Sequence, residues 1–165
     1  QVVEGTLKPS SDTPTHLVLY RGFEGIGSVV HTHSRHATMF CQACRELPCM
    51  GTTHADHFCG TVPLARALTP EEVEGDYEGN TGKVIVERFI DADPVAVPGV
   101  LVAHHAPFTW GPNVEKALEN SVALEACAEM AVGTMQLHPK GLVLPAHILD
   151  KHYRRKHGPD AYYGQ

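Results

Sequence analysis

The feature that most constrains this chain is a His-x-His pair, His31 and His33, followed much later by the neighbours His104 and His105. Two side chains that lie two positions apart on an extended segment project to the same face. The apolar residues 25–30 predict a strand that ends in the first pair, and the apolar run 100–103 predicts a strand that delivers the second. A fold that joins these strand ends would gather three imidazoles at one point.

Three histidines from two strand ends are typical of a catalytic zinc site, because such a site keeps one coordination position open. A structural zinc site is more often closed by four Cys or His ligands. His104 competes with His105, since neighbours on a strand point to opposite faces and only one of them can be a ligand. Asp12 is a candidate fourth ligand, or a carboxylate that orients water. Because a single histidine is more often a surface or structural residue, the metal hypothesis depends on the combination.

Composition restricts the class of protein. With 165 residues, 42% hydrophobic and 19% charged, the chain predicts one globular domain over residues 1–165. Its apolar runs are too short to cross a bilayer and no signal peptide is evident, so we expect a cytoplasmic protein without membrane contact. A net charge of −6 disfavours a nucleic-acid surface, while the basic run 151–157 suits a small anionic ligand.

Cysteines offer an alternative metal or redox site. Cys41, Cys44, Cys49 and Cys59 lie close together in the sequence, and a cytosolic chain should keep them reduced. Their spacing does not match a zinc ribbon with two Cys-x-x-Cys pairs. The first two also fall in a predicted helix over 35–44, where small buried thiols are common. We therefore interpret these cysteines as buried thiols.

The pattern of elements favours a mixed fold. Polar residues followed by Pro14 predict a helix that runs to Phe23. Further predicted elements are a loop over 48–56, a strand over 83–89, helices over 111–136 and 145–157, and a C′ glycine at Gly158. Ala106-Pro107 is expected to end the second histidine strand. Without strict βαβ alternation, this order predicts an α/β fold, a three-layer α/β/α sandwich on a largely antiparallel central sheet.

Three further sites have both a structural and a functional interpretation. Ser10 and Ser11 stand at a helix start, where they can cradle an anion or simply cap the helix. Asp56 lies in a loop rich in Thr and His and is either a proton carrier or a solvated surface acid. Tyr163, in a polar tail, has a role only if the tail docks over a site.

Several motifs together resemble the L-ribulose-5-phosphate 4-epimerases of the class II aldolase and adducin-head superfamily. The motifs that carry the resemblance are Lys8-Pro9-Ser10-Ser11-Asp12-Thr13-Pro14-Thr15-His16, Val30-His31-Thr32-His33-Ser34, Gly51-Thr52-Thr53-His54-Ala55-Asp56, Pro98-Gly99-Val100-Leu101-Val102, Asp150-Lys151-His152-Tyr153 and Ala161-Tyr162-Tyr163-Gly164-Gln165. The Gly-Thr-Thr-His-Ala-Asp loop and the Tyr-Tyr-Gly-Gln ending favour the epimerase branch over fuculose-phosphate aldolase.

The resemblance implies a role for each candidate residue. One zinc ion per subunit would be bound by His31, His33 and His105, with Asp12 beside the metal. Asp56 and Tyr163 of a neighbouring subunit would exchange protons on opposite faces of the substrate. The remaining positions would bind the substrate, Ser10 and Ser11 through its phosphate and Thr52, His152 and Arg155 near the subunit interface.

The resemblance also implies an assembly and a reaction. Members of this family form homotetramers of fourfold symmetry whose active sites lie between subunits. They interconvert L-ribulose 5-phosphate and D-xylulose 5-phosphate by retro-aldol cleavage of the C3–C4 bond and re-addition. Since the chain opens in what resembles the middle of a β-hairpin, over residues 1–6, we expect the family's N-terminal segment to be missing.

Three alternatives remain open at this point. An aldolase of the same superfamily would use the same zinc and release the two fragments permanently. An adducin-like binding module would need no metal and would have no reason to gather the histidines. A cysteine-based zinc or redox protein would keep its metal without His31 and His33.

Overall fold

The computed structural model describes residues 3–140 and 142–163, which form seven helices and four strands. In chain order these are α1 (Thr13–Gly22), β1 (Ser28–His31), α2 (Arg35–Gln42), α3 (Thr52–Ala55), β2 (Leu64–Ala65), α4 (Pro70–Glu74), α5 (Tyr77–Arg88), β3 (Gly99–Val102), β4 (Pro107–Gly111), α6 (Val114–Leu137) and α7 (Ala146–His157). Within those residues, no helix has the length and apolar character needed to cross a membrane.

A single sheet organises the strands in the order β1-β4-β3-β2. β1 pairs antiparallel with β4, and β4 pairs antiparallel with β3, while β2 and β3 are parallel. The β1–β4 register places His31 opposite Phe108 and Ser28 opposite Gly111. The predicted, largely antiparallel sheet is confirmed.

Two cores cover the two faces of this sheet. Along β3 the side chains alternate, as a strand requires, so that Leu101 faces one core while Val100 and Val102 face the other. Leu101 packs with residues of α2 and α6, such as Phe40 and Leu124. The two valines pack with residues of α1 and α5. Helices on both faces make three layers, so the predicted α/β/α sandwich is confirmed.

The predicted strand over 83–89 is wrong, because residues 83–88 belong to α5 and Phe89 follows its last turn. The Asp76 side chain accepts a hydrogen bond from the Gly79 N–H and so caps the first turn of this helix. α5 packs closely on α1: a Cβ atom built at Gly82 would lie 2.6 Å from the Val18 Cβ. The β-branched run that resembled a strand supplies the buried Val84 and Ile85 instead. Tertiary packing has overridden local β propensity.

A second difference concerns the segment after β3. β3 ends at Val102, and Ala106-Pro107, the expected end of the histidine strand, leads into the unforeseen strand β4. Pro107 is the first residue of that strand, where a missing N–H is tolerated. The predicted loop over 48–56 contains the short helix α3, and the short elements β2 and α4 were not foreseen.

The remaining helices lie close to their predicted bounds. α1, α2, α6 and α7 are confirmed, although Gly158 follows α7 in an extended conformation rather than as a left-handed C′ residue. Residues 3–6 form no strand, and residues 1 and 2 of the expected hairpin lie outside the described residues.

The cysteines divide into buried and accessible thiols. Cys41 and Cys49 are buried, and burial raises the pKa of their thiols to about 12 and about 11. The buried-thiol interpretation is wrong for Cys44, which is exposed just beyond α2. Cys59 is half-buried.

One carboxylate anchors the helix that follows the His-x-His pair. Glu125 on α6 accepts hydrogen bonds from the N–H groups of His36 and Ala37, each at 3.0 Å, and contacts the His36 Nδ1 atom at 2.8 Å. It therefore pairs the N–H groups that the first turn of α2 leaves without a partner inside the helix, a task that a capping residue usually performs. Burial raises the pKa of Glu125, but these hydrogen bonds outweigh burial and lower the pKa to about 2.

Replacement of this carboxylate by an amide should destabilise the protein. We expect Glu125→Gln to lower the free energy of unfolding by about 1–2 kcal/mol, the usual cost of losing a helix cap or a charged hydrogen bond. Denaturant unfolding at neutral pH measures the change, and Glu129→Gln, at an exposed position on the same helix, is the matched control.

The same difference should depend on pH. Because the folded-state pKa of Glu125 is about 2 rather than 4.5, its contribution is complete above the unfolded value and is lost as pH falls toward 2. The wild-type and Glu125→Gln stabilities should therefore converge in acid. A difference that stays constant from neutral pH down to pH 2 would contradict this role.

Candidate metal centre

Three histidine side chains converge where β1 ends beside the turn between β3 and β4. One ligand atom from each of His31, His33 and His105 lies within 4.8 Å of the others. Their ring centroids are separated by 5.0 Å, 5.0 Å and 5.2 Å. Among the described residues, this is the one group of three or more His, Cys, Asp or Glu side chains arranged to hold a metal ion.

His31 is oriented by its neighbours on β4. Its Nδ1 atom lies 2.9 Å from the Pro107 carbonyl oxygen, and its ring stacks on Phe108 at 4.0 Å. Since a carbonyl can only accept, the Nδ1 atom carries the hydrogen and donates it. The Nε2 atom is then the free ligand atom. A backbone carbonyl on the far nitrogen is a common way to fix the tautomer of a metal-binding histidine.

The turn between β3 and β4 selects His105 over His104. Both histidines lie in this turn rather than on a strand, which corrects the predicted strand end. His104 has a φ of 60°, a left-handed conformation that is uncommon for residues other than glycine. Its Nε2 atom lies 3.3 Å from the Cys44 Sγ atom, away from the cluster that His105 joins.

The donor set fits a divalent ion such as zinc. The His105 Nδ1 atom is buried and has no hydrogen-bond partner among the described residues. Burial lowers the pKa of His31, and burial together with the neighbouring His31 and His33 lowers the pKa of His105. Metal binding requires the neutral imidazole, so these shifts favour the form that acts as a ligand. Three nitrogen ligands are a common protein contribution to a catalytic zinc site.

The start of α1 lies beside this cluster. Asp12, the residue before α1, places a carboxylate oxygen 3.9 Å from the His31 Nε2 atom. The Ser10 hydroxyl accepts a hydrogen bond from the Asp12 N–H at 3.2 Å, and both Ser10 and Ser11 are exposed. The Asp12 carboxylate therefore lies beside the histidines, and the two serines precede it directly in the chain.

Asp56 belongs to a second, separate cluster. Its carboxylate receives hydrogen bonds from Arg155 on α7, the shortest at 2.8 Å, and lies 3.1 Å from the His152 Nδ1 atom. Burial acts to raise the pKa of Asp56, but hydrogen bonds from Arg155 and His152 outweigh it and lower the pKa. Asp56 is therefore a carboxylate at neutral pH, and it holds the end of α3 against α7.

The C-terminal tail docks on the same cluster. The Tyr163 N–H donates to the Arg155 carbonyl at 3.1 Å, and the Arg155 guanidinium lies 4.1 Å from the centre of the Tyr163 ring. The tail is therefore placed by the guanidinium that also binds Asp56.

Thr52 is exposed at the start of α3, and its carbonyl accepts the Asp56 N–H at 2.9 Å.

Within one chain the two clusters remain apart. No hydrogen bond, ion pair or ring contact between described residues joins the histidines with the group of Asp56, Arg155 and Tyr163. The structure thus brings together the predicted metal ligands, and separately the predicted proton carriers. Their catalytic and binding roles stay predictions.

Two residues beside the histidines were not predicted from the sequence. Phe108 supports the His31 ring, and the Tyr77 ring lies 6.2 Å from that of His105. Phe108 could be identified only with the strand β4, and Tyr77 only with the helix α5, neither of which was predicted.

Comparison with solved structures supports the fold. An L-fuculose 1-phosphate aldolase superposes with a TM-score of 0.73 at 23% identity, covering 93% of this chain and 66% of that chain. YgbL of Klebsiella pneumoniae gives 0.68 at 19% identity, with 90% and 67% covered. A sugar-phosphate aldolase from Thermotoga maritima gives 0.62 at 21% identity, with 82% and 58% covered. The chain spans about two thirds of the length of the first two proteins.

A family sequence model that matches this chain identifies its family. The model of the class II aldolase and adducin N-terminal domain matches residues 1–132, which is most of the chain. This stretch contains Asp12, the three converging histidines and Asp56. The chain belongs to the class II aldolase and adducin N-terminal domain family.

Proposed function

We propose that this protein is a zinc-dependent epimerase that interconverts L-ribulose 5-phosphate and D-xylulose 5-phosphate. The observation that carries the proposal is the convergence of His31, His33 and His105, with ligand atoms within 4.8 Å of one another. Family membership supports sugar-phosphate chemistry, since the similar structures include two sugar-phosphate aldolases. The Gly-Thr-Thr-His-Ala-Asp and Tyr-Tyr-Gly-Gln motifs favour epimerisation over permanent cleavage.

The position of the stereocentre explains why aldol chemistry suits this reaction. The carbonyl of the substrate is at C2 and the inverted centre is at C4, so the C4 hydrogen is not adjacent to the carbonyl and is only weakly acidic. Removal of the C4 hydroxyl proton instead allows the C3–C4 bond to break, and its electron pair passes to the C2 carbonyl. The aldehyde fragment then turns and re-adds through its other face.

Each fragment and each face needs its own protein group. Ser10 and Ser11, exposed beside Asp12, would hold the phosphate of the aldehyde fragment while it turns. Asp56, which Arg155 and His152 keep in its ionised form, would accept the C4 hydroxyl proton. Tyr163 would return a proton to the C4 oxygen on the opposite face.

The metal ligands would supply the remaining electrostatic requirement. A zinc ion bound by His31, His33 and His105 would act as a Lewis acid that stabilises the negative charge developed during bond cleavage, an effect worth several kcal/mol. Asp12 lies close enough to the cluster to serve as a further ligand or to orient a polar group there.

A neighbouring subunit would complete this site. Because Arg155 of α7 holds Asp56 and Tyr163 together, without a contact to the histidines of their own chain, we infer that they act at the histidines of another copy. The assembly proposed is a homotetramer with one site at each subunit interface. In this arrangement Thr52, His152 and Arg155 would also lie at the interface.

Loss of one histidine should release the metal. His33 is exposed, so His33→Asn should remove a ligand without disturbing the core, and we expect zinc affinity to fall more than about a hundredfold, the upper range for residues that only orient a ligand. Elemental analysis after dialysis against a weak chelator measures the bound zinc.

His147→Asn is the matched control for this experiment, since His147 is an exposed histidine on α7 outside the cluster. Full zinc content in His33→Asn would exclude His33 as a ligand. Metal retained without any of the cluster histidines would instead favour a cysteine-based site, and a protein that never binds zinc would favour an adducin-like binding module.

Removal of one phenol should slow epimerisation without affecting the metal. Tyr163→Phe keeps the ring on Arg155 but loses the hydroxyl, so we expect kcat to fall about a hundredfold or more, as is usual for a general acid or base. Tyr162→Phe, one residue earlier in the tail, should retain activity. Loss of zinc from Tyr163→Phe would contradict the assignment of Tyr163 as a proton carrier. The same kcat in Tyr163→Phe and Tyr162→Phe would contradict it as well.

Product analysis separates the epimerase from the aldolase. With the zinc-loaded protein and L-ribulose 5-phosphate, we expect D-xylulose 5-phosphate to accumulate while free glycolaldehyde phosphate stays below it. NMR of the reaction mixture identifies both products. Stoichiometric release of the aldehyde and of dihydroxyacetone would favour a sugar-phosphate aldolase of the same family.

A further inference from the structure

Helix α2 links the two chain segments that carry the converging histidines. Its first residue, Arg35, stands two positions after His33. In its last turn, the Cys41 carbonyl accepts a hydrogen bond from the His104 N–H at 2.9 Å, and His104 precedes His105 in the turn between β3 and β4. One short helix is therefore joined to the first ligand segment at its start and to the second at its end.

The buried face of α2 holds the helix as one rigid body. Ala37 and Cys41 are fully buried, and Phe40 is 4% exposed. These side chains share a core with Leu124 and Ala128 of α6. Because close packing leaves little room for a short helix to bend, a displacement at one end of α2 would be passed to the other. The position of α2 on α6 therefore bears on both ligand segments.

The Glu125 carboxylate of α6 fixes the start of this helix. Ser34, the N-cap residue of α2, makes no side-chain capping hydrogen bond. The N–H groups of His36 and Ala37 donate to Glu125 instead, each at 3.0 Å, and the His36 Nδ1 atom lies 2.8 Å from the same carboxylate. The carboxylate thus binds the backbone three positions after His33, although Glu125 itself is outside the ligand cluster.

We propose that Glu125 is a positioning residue of the metal centre, which acts through α2 on the separation of His33 and His105. The rings of these two histidines are 5.2 Å apart. A carboxylate that fixes both ligand segments through one helix would keep them at this separation before a metal ion binds, and preorganised ligands bind more tightly than ligands that must first be ordered. The inference rests on the metal ion of the proposed function, and not on the substrate or the assembly.

Zinc affinity tests this role. Glu125→Met keeps the length of the side chain but removes both acceptor oxygens, so we expect zinc to bind about tenfold more weakly, as for other groups that orient metal ligands. Glu125→Gln retains one acceptor oxygen and should lose less. Competition with a chromophoric chelator measures the affinity, at a temperature where circular dichroism shows each variant to be folded.

Asn113→Ala is the matched control, because it also removes the side chain that binds the first turn of a helix. Asn113 caps α6 at the end of the β1–β4 strand pair away from the histidines, where Ser28 pairs with Gly111. Its loss should lower stability in a similar way. We expect its zinc affinity to stay within about twofold of the wild type, since distant sites act independently.

Hydrogen exchange of the wild-type protein tests the same coupling without a variant. Because coupling between binding events is reciprocal, a contact that strengthens zinc binding must itself be strengthened by zinc. We expect zinc to slow exchange of the Ala37 N–H, which Glu125 binds, by about tenfold. The Lys116 N–H, which the Asn113 side chain binds at 2.8 Å, is the internal control and should change by less than about twofold.

Three results would overturn the proposal. Equal zinc affinity in Glu125→Met and the wild type would show that the histidines keep their separation without the carboxylate. Equal weakening in Glu125→Met and Asn113→Ala would assign the effect to general stability. An Ala37 amide that zinc protects no more than the Lys116 amide would show that the metal and α2 are not coupled.

The same measurements separate this proposal from the proposed function. A protein that binds zinc but forms no D-xylulose 5-phosphate would refute the epimerase activity, while the zinc affinities would still decide the role of Glu125. A wild-type protein that binds no zinc would overturn both.

Discussion

The antiparallel pairing of β1 with β4 is the constraint on which the candidate metal centre depends. Its register sets His31 opposite Phe108, so the carbonyl of Pro107 meets the His31 ring and Phe108 stacks on it. The turn that precedes β4 carries His105. A shift of one residue in this register would turn the side chains of β1 to the other face of the sheet and separate the histidines. The chemistry proposed here therefore rests on backbone hydrogen bonds as much as on the ligands themselves.

The helices that flank the histidines fix what the strands leave free. His33 lies beyond the end of β1, and its position depends on α2, whose first turn is bound by Glu125 on α6. α6 also packs on β1 and β4, so one helix supports both parts of the pair that carries the ligands. Such support matters for a catalytic metal centre, because ligands held by rigid elements keep their geometry when a substrate binds.

Sequence reasoning succeeded where local patterns matched the tertiary outcome. The apolar periodicity of α6 and the helix-start signals of α1 predict these two helices correctly, because both elements form where their local signals lie. It failed for residues 83–88, whose β-branched side chains suit either a strand or the buried face of a helix. The Asp76 cap and the close approach of Gly82 to α1 decide between them, and the second depends on a long-range contact. The convergence of the histidines could be inferred, and the family resemblance implied His105 as the third ligand, but the residue pattern alone left His104 open, and the turn geometry supplies the physical reason for the choice.

The arrangement of the second cluster bears on the proposed assembly. Asp56, Arg155 and Tyr163 are connected by hydrogen bonds and by a cation–π contact within one chain, so they form a preformed unit rather than one assembled by substrate. A preformed unit can be presented to another subunit without a separate ordering cost for each residue. In the proposed tetramer, a subunit interface that places α7 against a neighbouring histidine cluster would position both proton carriers at once. The same pairing keeps Asp56 ionised before substrate arrives, and because it also lowers the pKa of the carboxyl, a proton accepted from the C4 hydroxyl would be released readily.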